Sequence, residues 1–145
     1  MFKKLFEHLP VTIMFCYLLY LSTNNIFSII FPLFTGWLLD VDHFFDYFIF
    51  LKKTKNKINL KFFFSGKYFS ENKKVYVLFH SWELAFSIFL ISFFFSDELL
   101  QKVYFWTSIS YLTHILIDQI TNKPKFFGYF LIYRYNNSFN SSKFC

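Results

Sequence analysis

Four long apolar runs dominate this chain, at about 9–21, 26–39, 75–95 and 103–117. Apolar residues make up 55% of its 145 residues, and aromatic residues alone make up 27%. A soluble protein of this length has no core large enough to bury four such runs, whereas a lipid bilayer can accept them. The sequence therefore predicts an all-α, multi-pass membrane bundle in a single domain, with about four transmembrane helices at 8–21, 26–43, 75–95 and 102–121.

The basic residues give these helices an expected orientation. Lys3 and Lys4 precede the first run, four more basic residues lie in the C-terminal tail, and eight lysines lie within 52–74. Those eight are Lys52, Lys53, Lys55, Lys57, Lys61, Lys67, Lys73 and Lys74. Because cytoplasmic loops carry the excess of Lys and Arg, we expect both termini and 52–74 to be cytoplasmic, with 96–101 outside.

A cytoplasmic N-terminus and a cytoplasmic 52–74 require an even number of membrane crossings before residue 52, and two topologies satisfy this requirement. One has spans at 10–34 and 36–51, and the other has spans at 8–21 and 26–43 with a turn at 22–25. The sequence Ser-Thr-Asn-Asn at 22–25 favours the second topology, because turn-forming polar residues are costly at the centre of a bilayer. In that topology the polar residues after position 39 lie at the cytoplasmic end of the second helix.

The lysine-rich stretch 52–74 also carries phenylalanine and tyrosine between its charges. This pattern predicts an interfacial loop, partly buried at anionic headgroups, with membrane lipids as the partners. Nucleic-acid binding is not expected, since the positive-inside rule already explains the charge. Cys16 and Cys145 form no metal-binding or disulfide pattern. The oligomeric state is not predicted.

Ionisable side chains within predicted membrane helices are the candidates for function, because each costs at least about 2.5 kcal/mol to insert. The candidates are Asp40, Asp42, His43, Asp46, His80, Glu83, His114 and Asp118. Five acids and three histidines near one depth would repel and desolvate one another as bare groups. A divalent cation is the simplest way to neutralise them.

Helical spacing predicts which side chains share a face. His80 and Glu83 are three residues apart, and His114 and Asp118 are four apart. The predicted metal ligands are Asp42, His43, His80, His114 and Asp118. Asp40 and Glu83 are predicted to act as a ligand or general base, and Asp46 to be solvated or to support the ligands. Alone, each pair has a simpler interpretation as an intrahelical hydrogen bond or a helix cap.

The predicted mixture of imidazole and carboxylate ligands bears on the identity of the metal. Neutral imidazole with carboxylate suits zinc best, with manganese or iron as alternatives, and contrasts with the all-oxygen shells of calcium and magnesium.

Three segments carry a family resemblance: "GWLLDVDH" at 36–43, "FHSWEL" at 79–84 and "YLTHILIDQIT" at 111–121. Their order and spacing resemble those of the YdjM-type family of inner-membrane, metal-dependent hydrolases. The resemblance implies metal ligands at Asp40, Asp42, His43, His80, His114 and Asp118, and an N-terminal histidine that His8 matches. Leu39, Val75 and Phe79 depart from the family pattern, Val75 standing where the family commonly has a second histidine.

These observations leave three functional hypotheses. The leading one is a membrane hydrolase whose metal activates water against an ester or phosphoester, such as that of a lipid, at the cytoplasmic interface. The second is a metal-binding or transport protein without catalysis. The third is a small structural membrane protein of the holin type, which has no need for buried His and Asp on three helices.

Overall fold

The computed structural model describes residues 7–144, in which the regular structure is helical apart from one isolated bridge between Lys74 and Asn140. The helices are α1 (Leu9–Thr23), α2 (Ile30–Gly36), α3 (Asp42–Thr54), α4 (Leu60–Ser65), α5 (Lys67–Asn72), α6 (Trp82–Ser92), α7 (Glu98–Asn122), α8 (Leu131–Asn136) and α9 (Ser141–Phe144). Two 3₁₀ turns, Ile26–Ile29 and Leu38–Val41, lead into α2 and α3. The long helix α7 lies at the centre and packs against α1, α2 and α6. The predicted all-α class is confirmed.

The apolar helices are shorter than the predicted spans. Within the described residues, no single helix has both the length and the hydropathy of a membrane span, although Ile26–Gly36 and Leu38–Thr54, bent by 56°, pass that test as a pair on length and composition alone. The four-crossing arrangement therefore stays a prediction. Lys3 and Lys4, on which part of the predicted orientation rests, lie outside the described residues.

The polar stretch 22–25 forms a turn. Asn24 adopts a left-handed conformation, with φ of 50°, and donates its N–H to the carbonyl of Tyr20 at 2.7 Å, which closes α1. The side chain of Asn25 then accepts the N–H of Phe27 at 3.0 Å and starts the next helical turn. Two consecutive asparagines thus end one helix and begin another.

The single helix predicted at 26–43 is wrong. The chain leaves helical geometry after Gly36, forms the 3₁₀ turn Leu38–Val41, and starts α3 at Asp42. One cause is the carbonyl of Gly36, which pairs with Nδ1 of His114 at 3.0 Å instead of continuing the helical ladder. The break carries Asp40 and Asp42 out of the apolar helix, so that Asp40 faces His114 of α7 and Asp42 faces Phe79 and His80.

Close packing at Gly36 allows this arrangement and makes a testable prediction. A Cβ at this position would lie 2.4 Å from Oγ of Ser110 and 2.5 Å from Oγ1 of Thr12. Both hydroxyls are held by buried hydrogen bonds to backbone carbonyls. We expect Gly36→Ala to lower the free energy of unfolding in detergent by about 1–3 kcal/mol, the usual cost of overpacking. A variant as stable as the wild type would show that α1, α2 and α7 are not in close contact there.

The helix predicted at 75–95 is also wrong at its N-terminal end, because α6 begins only at Trp82. Ser81 caps α6 by accepting the N–H of Leu84 at 3.3 Å. Residues 75–81 form an irregular segment, which we call the bridging segment. Its Val77 has a positive φ of 31°, a conformation that is strained for a β-branched residue.

Side chains from α3 and α8 hold the bridging segment from two sides. Asp46 accepts the N–H groups of Tyr76 and Val77 at 2.9 and 2.8 Å, and Asp42 accepts that of Phe79 at 3.0 Å. From the other side, the guanidinium of Arg134 donates to the carbonyls of Tyr76, Val77 and His80. These contacts satisfy backbone groups that a helix would have satisfied internally.

The predicted loop 52–74 contains the helical hairpin α4–Gly66–α5. Phe63 and Tyr68 are fully buried against Tyr47 and Phe50 of α3 and form a second hydrophobic core. Phe63 and Tyr68 therefore pack within the protein, whereas Phe62, Phe64 and Phe69 are only partly buried against this core. The predicted loop is helical, and its position at a lipid surface stays a prediction. All eight lysines of this stretch are exposed, and their contact with headgroups stays a prediction.

Candidate metal centre

Three parts of the chain meet at a buried cluster of acids and histidines. The 3₁₀ turn Leu38–Val41 supplies Asp40, the bridging segment supplies His80, and α7 supplies His114 and Asp118. One donor atom from each residue lies within 4.8 Å of all the others, and all four residues are buried. We call these four residues the metal cluster.

Three distances between donor atoms of the metal cluster match those of a tetrahedral site. Nε2 of His80 lies 3.2 Å from Oδ1 of Asp40, 3.3 Å from Oδ2 of Asp118 and 3.3 Å from Nε2 of His114. Nε2 of His114 lies 3.8 Å from the same two oxygens. Ligands about 2.0–2.1 Å from a tetrahedral zinc are about 3.3–3.4 Å apart. The cluster therefore needs little adjustment to hold such an ion.

One nitrogen of the metal cluster has more neighbours than it has hydrogens. Nε2 of His80 carries at most one hydrogen, yet it faces two carboxylate oxygens and a second imidazole nitrogen at 3.2–3.3 Å. One proton cannot serve three acceptors, whereas one cation bound by all four groups satisfies them together.

The hydrogen-bond partner of Nδ1 sets the tautomer of His80 and of His114. Nδ1 of His114 lies 3.0 Å from the carbonyl of Gly36, which can only accept, so this nitrogen carries the proton. Nδ1 of His80 lies 3.0 Å from Oδ2 of Asp42 in the same way. Both Nε2 lone pairs then face the centre of the metal cluster, an arrangement in which a carbonyl or carboxylate orients a metal-binding histidine.

The charge of the region favours a bound cation. Four carboxylates are buried near one another, on Asp40, Asp42, Asp46 and Asp118. Carboxylates that stay ionised in such a place require a compensating positive charge.

Two predicted ligands, Asp42 and His43, lie beside the metal cluster. Asp42 is engaged with Nδ1 of His80 and with the bridging segment, a position that orients a ligand. Nε2 of His43 lies 3.4 Å from Oδ1 of Asp40, and its Nδ1 has no hydrogen-bond partner among the described residues. Asp42, His43 and His80 also lie close enough together to hold an ion. A molecule that binds at Asp40 would therefore also contact His43.

His8, whose role the sequence left open, is buried at the edge of the cluster. Its Nε2 lies 3.3 Å from Oδ1 of Asp118, and its ring stacks on that of His114 at a centroid distance of 4.0 Å. His8 thus contacts the oxygen of Asp118 that faces away from the other donors and supports two members of the metal cluster.

The structure does not bring Glu83 into the cluster. Its carboxylate accepts the N–H groups of Leu131 and Ile132 at 2.9 and 3.0 Å and the hydroxyl of Ser81 at 2.8 Å. It therefore anchors the start of α8. The helical pairing predicted for His80 and Glu83 fails because Ser81 begins α6 after His80.

Sequence reasoning missed the part played by Arg134 and undervalued Asp46. Burial lowers the pKa of Arg134, while the charges of Asp42 and Glu83 oppose that shift, and its guanidinium fixes the backbone beside His80. Burial raises the pKa of Asp46, and the N–H groups of Val77 and Tyr76 oppose that shift. One signal was present, since Arg134 is the only arginine among fourteen lysines, and a planar guanidinium suits a buried hydrogen-bonded site.

An open cavity gives access to the metal cluster. It has a volume of about 310 Å³, and Asp40, His43 and Asp118 lie on its wall. Ser65, Gly66 and Phe69, from the α4–α5 hairpin, also line it. A small polar group entering this cavity, which we call the polar cavity, reaches two residues of the metal cluster.

Comparison of the chain with protein-family models, with curated proteins and with solved structures finds no match. Its function must therefore be argued from the cluster and the surfaces around it.

Proposed function

We propose that this chain is a membrane-bound, metal-dependent hydrolase that cleaves an ester or phosphoester at the cytoplasmic face of an inner membrane. The observation that carries the proposal is the metal cluster, whose four donor atoms lie within 4.8 Å of one another and which meets an open cavity at Asp40 and Asp118. Four protein donors would complete the shell of a structural zinc, so hydrolysis needs a fifth position for water, and the cavity beside Asp40 and Asp118 leaves room for it. The resemblance to the YdjM-type family supports the same proposal.

Exposed apolar side chains support the membrane location. They cover α1, α2 and α6, and include Ile13, Tyr17, Leu21, Phe31, Phe34, Leu90, Phe93 and Phe94. An apolar surface of this extent is unusual for a soluble monomer and suits contact with lipid. The exposed lysines of 52–74 are joined to the site through α4 and α5, which supports a site near the anionic cytoplasmic headgroups.

The roles of the residues follow from their contacts. A divalent cation held by the metal cluster would supply Lewis-acid polarisation of the scissile group and would acidify water at neutral pH. Asp40 and Asp118 supply negative charge to hold the cation, and both face the polar cavity. Asp42 and the carbonyl of Gly36 fix the two imidazoles. His43 lies at the cavity wall beside Asp40, where it can exchange a proton with a substrate or water.

We propose zinc as the resident ion, because two imidazoles and two carboxylates form a nitrogen and oxygen set that suits zinc better than calcium or magnesium. Manganese and iron are the alternatives, since they accept the same ligands.

The proposal is tested on detergent-purified protein by elemental analysis and by hydrolysis of bis(p-nitrophenyl) phosphate. We expect near-stoichiometric zinc, loss of hydrolysis on treatment with a chelator, and recovery when zinc is returned. Protein that holds metal but cleaves no ester or phosphoester would favour the non-catalytic metal-binding role. Protein without metal would overturn the proposal altogether.

A further inference from the structure

A second cavity, of about 210 Å³, adjoins the metal cluster. Trp37, Leu38, Val41, Phe44, Phe63 and Phe64 line it, together with Asp40. Asp40 is therefore on the wall of both this cavity and the polar cavity. We call the second one the apolar cavity.

The two cavities differ in the chemistry that they can accept. Two carboxylates and an imidazole, of Asp40, Asp118 and His43, line the polar cavity, whereas Asp40 is the only ionisable residue on the wall of the apolar cavity among the described residues. A polar group placed among Phe44, Phe63 and the other aromatic residues would lose its hydration without compensation. A molecule that fills both cavities must therefore be polar at one end and apolar at the other.

From this juxtaposition we infer that the substrate is an anionic lipid whose phosphoester lies at the Asp40 side of the metal cluster and whose acyl chain enters the apolar cavity. The inference rests on the proposed function, since it assigns the substrate of the same site. Hydrolysis would form a bond between the oxygen of water and phosphorus, break the phosphorus–oxygen bond to the leaving alcohol, and return one proton to that alcohol.

The mouth of the apolar cavity supports an acyl chain as the occupant. Val41 and Phe44 are 54% and 38% exposed, so the cavity opens onto the apolar exterior. A chain longer than the cavity can continue outward between these side chains without meeting charge. A folded protein partner would not fit within about 210 Å³.

Charge around the α4–α5 hairpin supports the anionic headgroup. Phe63 and Phe64, on the wall of the apolar cavity, and Ser65 and Gly66, on the wall of the polar cavity, are consecutive in the chain. Exposed lysines precede and follow these residues, at positions 61 and 67. Lysines at this spacing raise the local concentration of anionic headgroups at the entrance.

The test uses two chromogenic phosphodiesters with the same leaving group, p-nitrophenyl hexadecyl phosphate and p-nitrophenyl ethyl phosphate. Both are cleaved by water to p-nitrophenol and an alkyl phosphate. Because each buried methylene favours binding, we expect the wild type to prefer the hexadecyl compound by at least about tenfold in kcat/KM. Leu38→Trp, which fills the apolar cavity, should reduce this preference by about tenfold.

The matched control is Phe45→Trp, which adds an indole to an exposed position of α3 outside the cavity wall. It should keep the wild-type preference. Because both variants are measured in the same detergent, partitioning of the hexadecyl compound into micelles affects them equally. An unchanged preference in Leu38→Trp, or an equal loss in Phe45→Trp, would overturn the inference. If Leu38→Trp loses its metal, Phe44→Trp at the cavity mouth replaces it in the same comparison.

A binding measurement separates failure of the inference from failure of the proposed function. Metal-loaded protein in lipid nanodiscs is titrated with hexadecyl phosphate and with ethyl phosphate, neither of which needs to be cleaved. If the wild type hydrolyses nothing but binds hexadecyl phosphate at least about tenfold more tightly, and Leu38→Trp abolishes the difference, the hydrolase fails and the lipid site stands. Equal binding of the two phosphates would overturn the lipid site.

Discussion

Zinc affinity should fall by more than about 100-fold when His114 is replaced by alanine, since even residues that only orient metal ligands cost about 10–100-fold. His114 supplies one of the four donor atoms, and its removal leaves the carboxylates of Asp40 and Asp118 less well neutralised. The measurement is competition for zinc between the purified protein and a chelator of known affinity.

A control on the same helix separates this effect from general damage. Thr113 is adjacent to His114, and within the described residues its hydroxyl bonds only to the carbonyl of Ile109, at 2.8 Å. Thr113→Ala should therefore bind zinc as the wild type does. Undiminished zinc affinity in His114→Ala would show that the four donor atoms do not form a metal site.

The same titration distinguishes a ligand from a residue that orients one. Asp42 contacts Nδ1 of His80 and lies outside the metal cluster, so Asp42→Asn should cost about 10–100-fold in zinc affinity. Asp118→Asn, which removes the charge of a predicted ligand, should cost more. A larger loss in Asp42→Asn than in Asp118→Asn would instead favour Asp42 as a direct ligand.

Loss of Arg134 should produce the largest change in stability. Its guanidinium donates to the carbonyls of Tyr76, Val77 and His80, and each carbonyl left unpaired in the interior costs about 1–3 kcal/mol. We expect Arg134→Ala to lower the free energy of unfolding in detergent by about 3 kcal/mol or more. Zinc binding should weaken as well, because the backbone of His80 loses its anchor.

Two further variants make this measurement specific. Tyr135 follows Arg134 in α8 and is 70% exposed, so Tyr135→Ala should change stability by less than about 0.5 kcal/mol. Arg134→Lys keeps the charge but cannot span three carbonyls, and its stability should lie between those of Arg134→Ala and the wild type. Equal stability of Arg134→Ala and the wild type would show that the bridging segment does not depend on this arginine.

Local sequence patterns predicted the features that depend on short-range chemistry. The turn at Asn24 and Asn25, the long helix α7, and the pairing of His114 with Asp118 all follow from neighbouring residues or helical period. Asp40 and His80, which were predicted to lie near one depth with His114 and Asp118, lie close to both residues of α7 in the structure. Burial of a carboxylate is costly unless it has a polar partner, so the buried acids and histidines are expected to lie in contact.

The errors arose where distant contacts override helical propensity. The apolar sequence of 75–81 is compatible with a helix, but carboxylates from α3 and the guanidinium of Arg134 satisfy its backbone instead. Nothing local to these residues reveals partners 31 and 57 positions away along the chain. Glu83 was misassigned for the same reason, since its partners lie at the start of α8.

The bridging segment also determines when the site can form during biosynthesis. The carbonyl of His80 is held by Arg134, which is synthesised 54 residues later. Contacts between distant residues form late because the loop between them must first close. We therefore expect the acids and histidines of the proposed metal site to come together only after the C-terminal region has folded back onto residues 75–81.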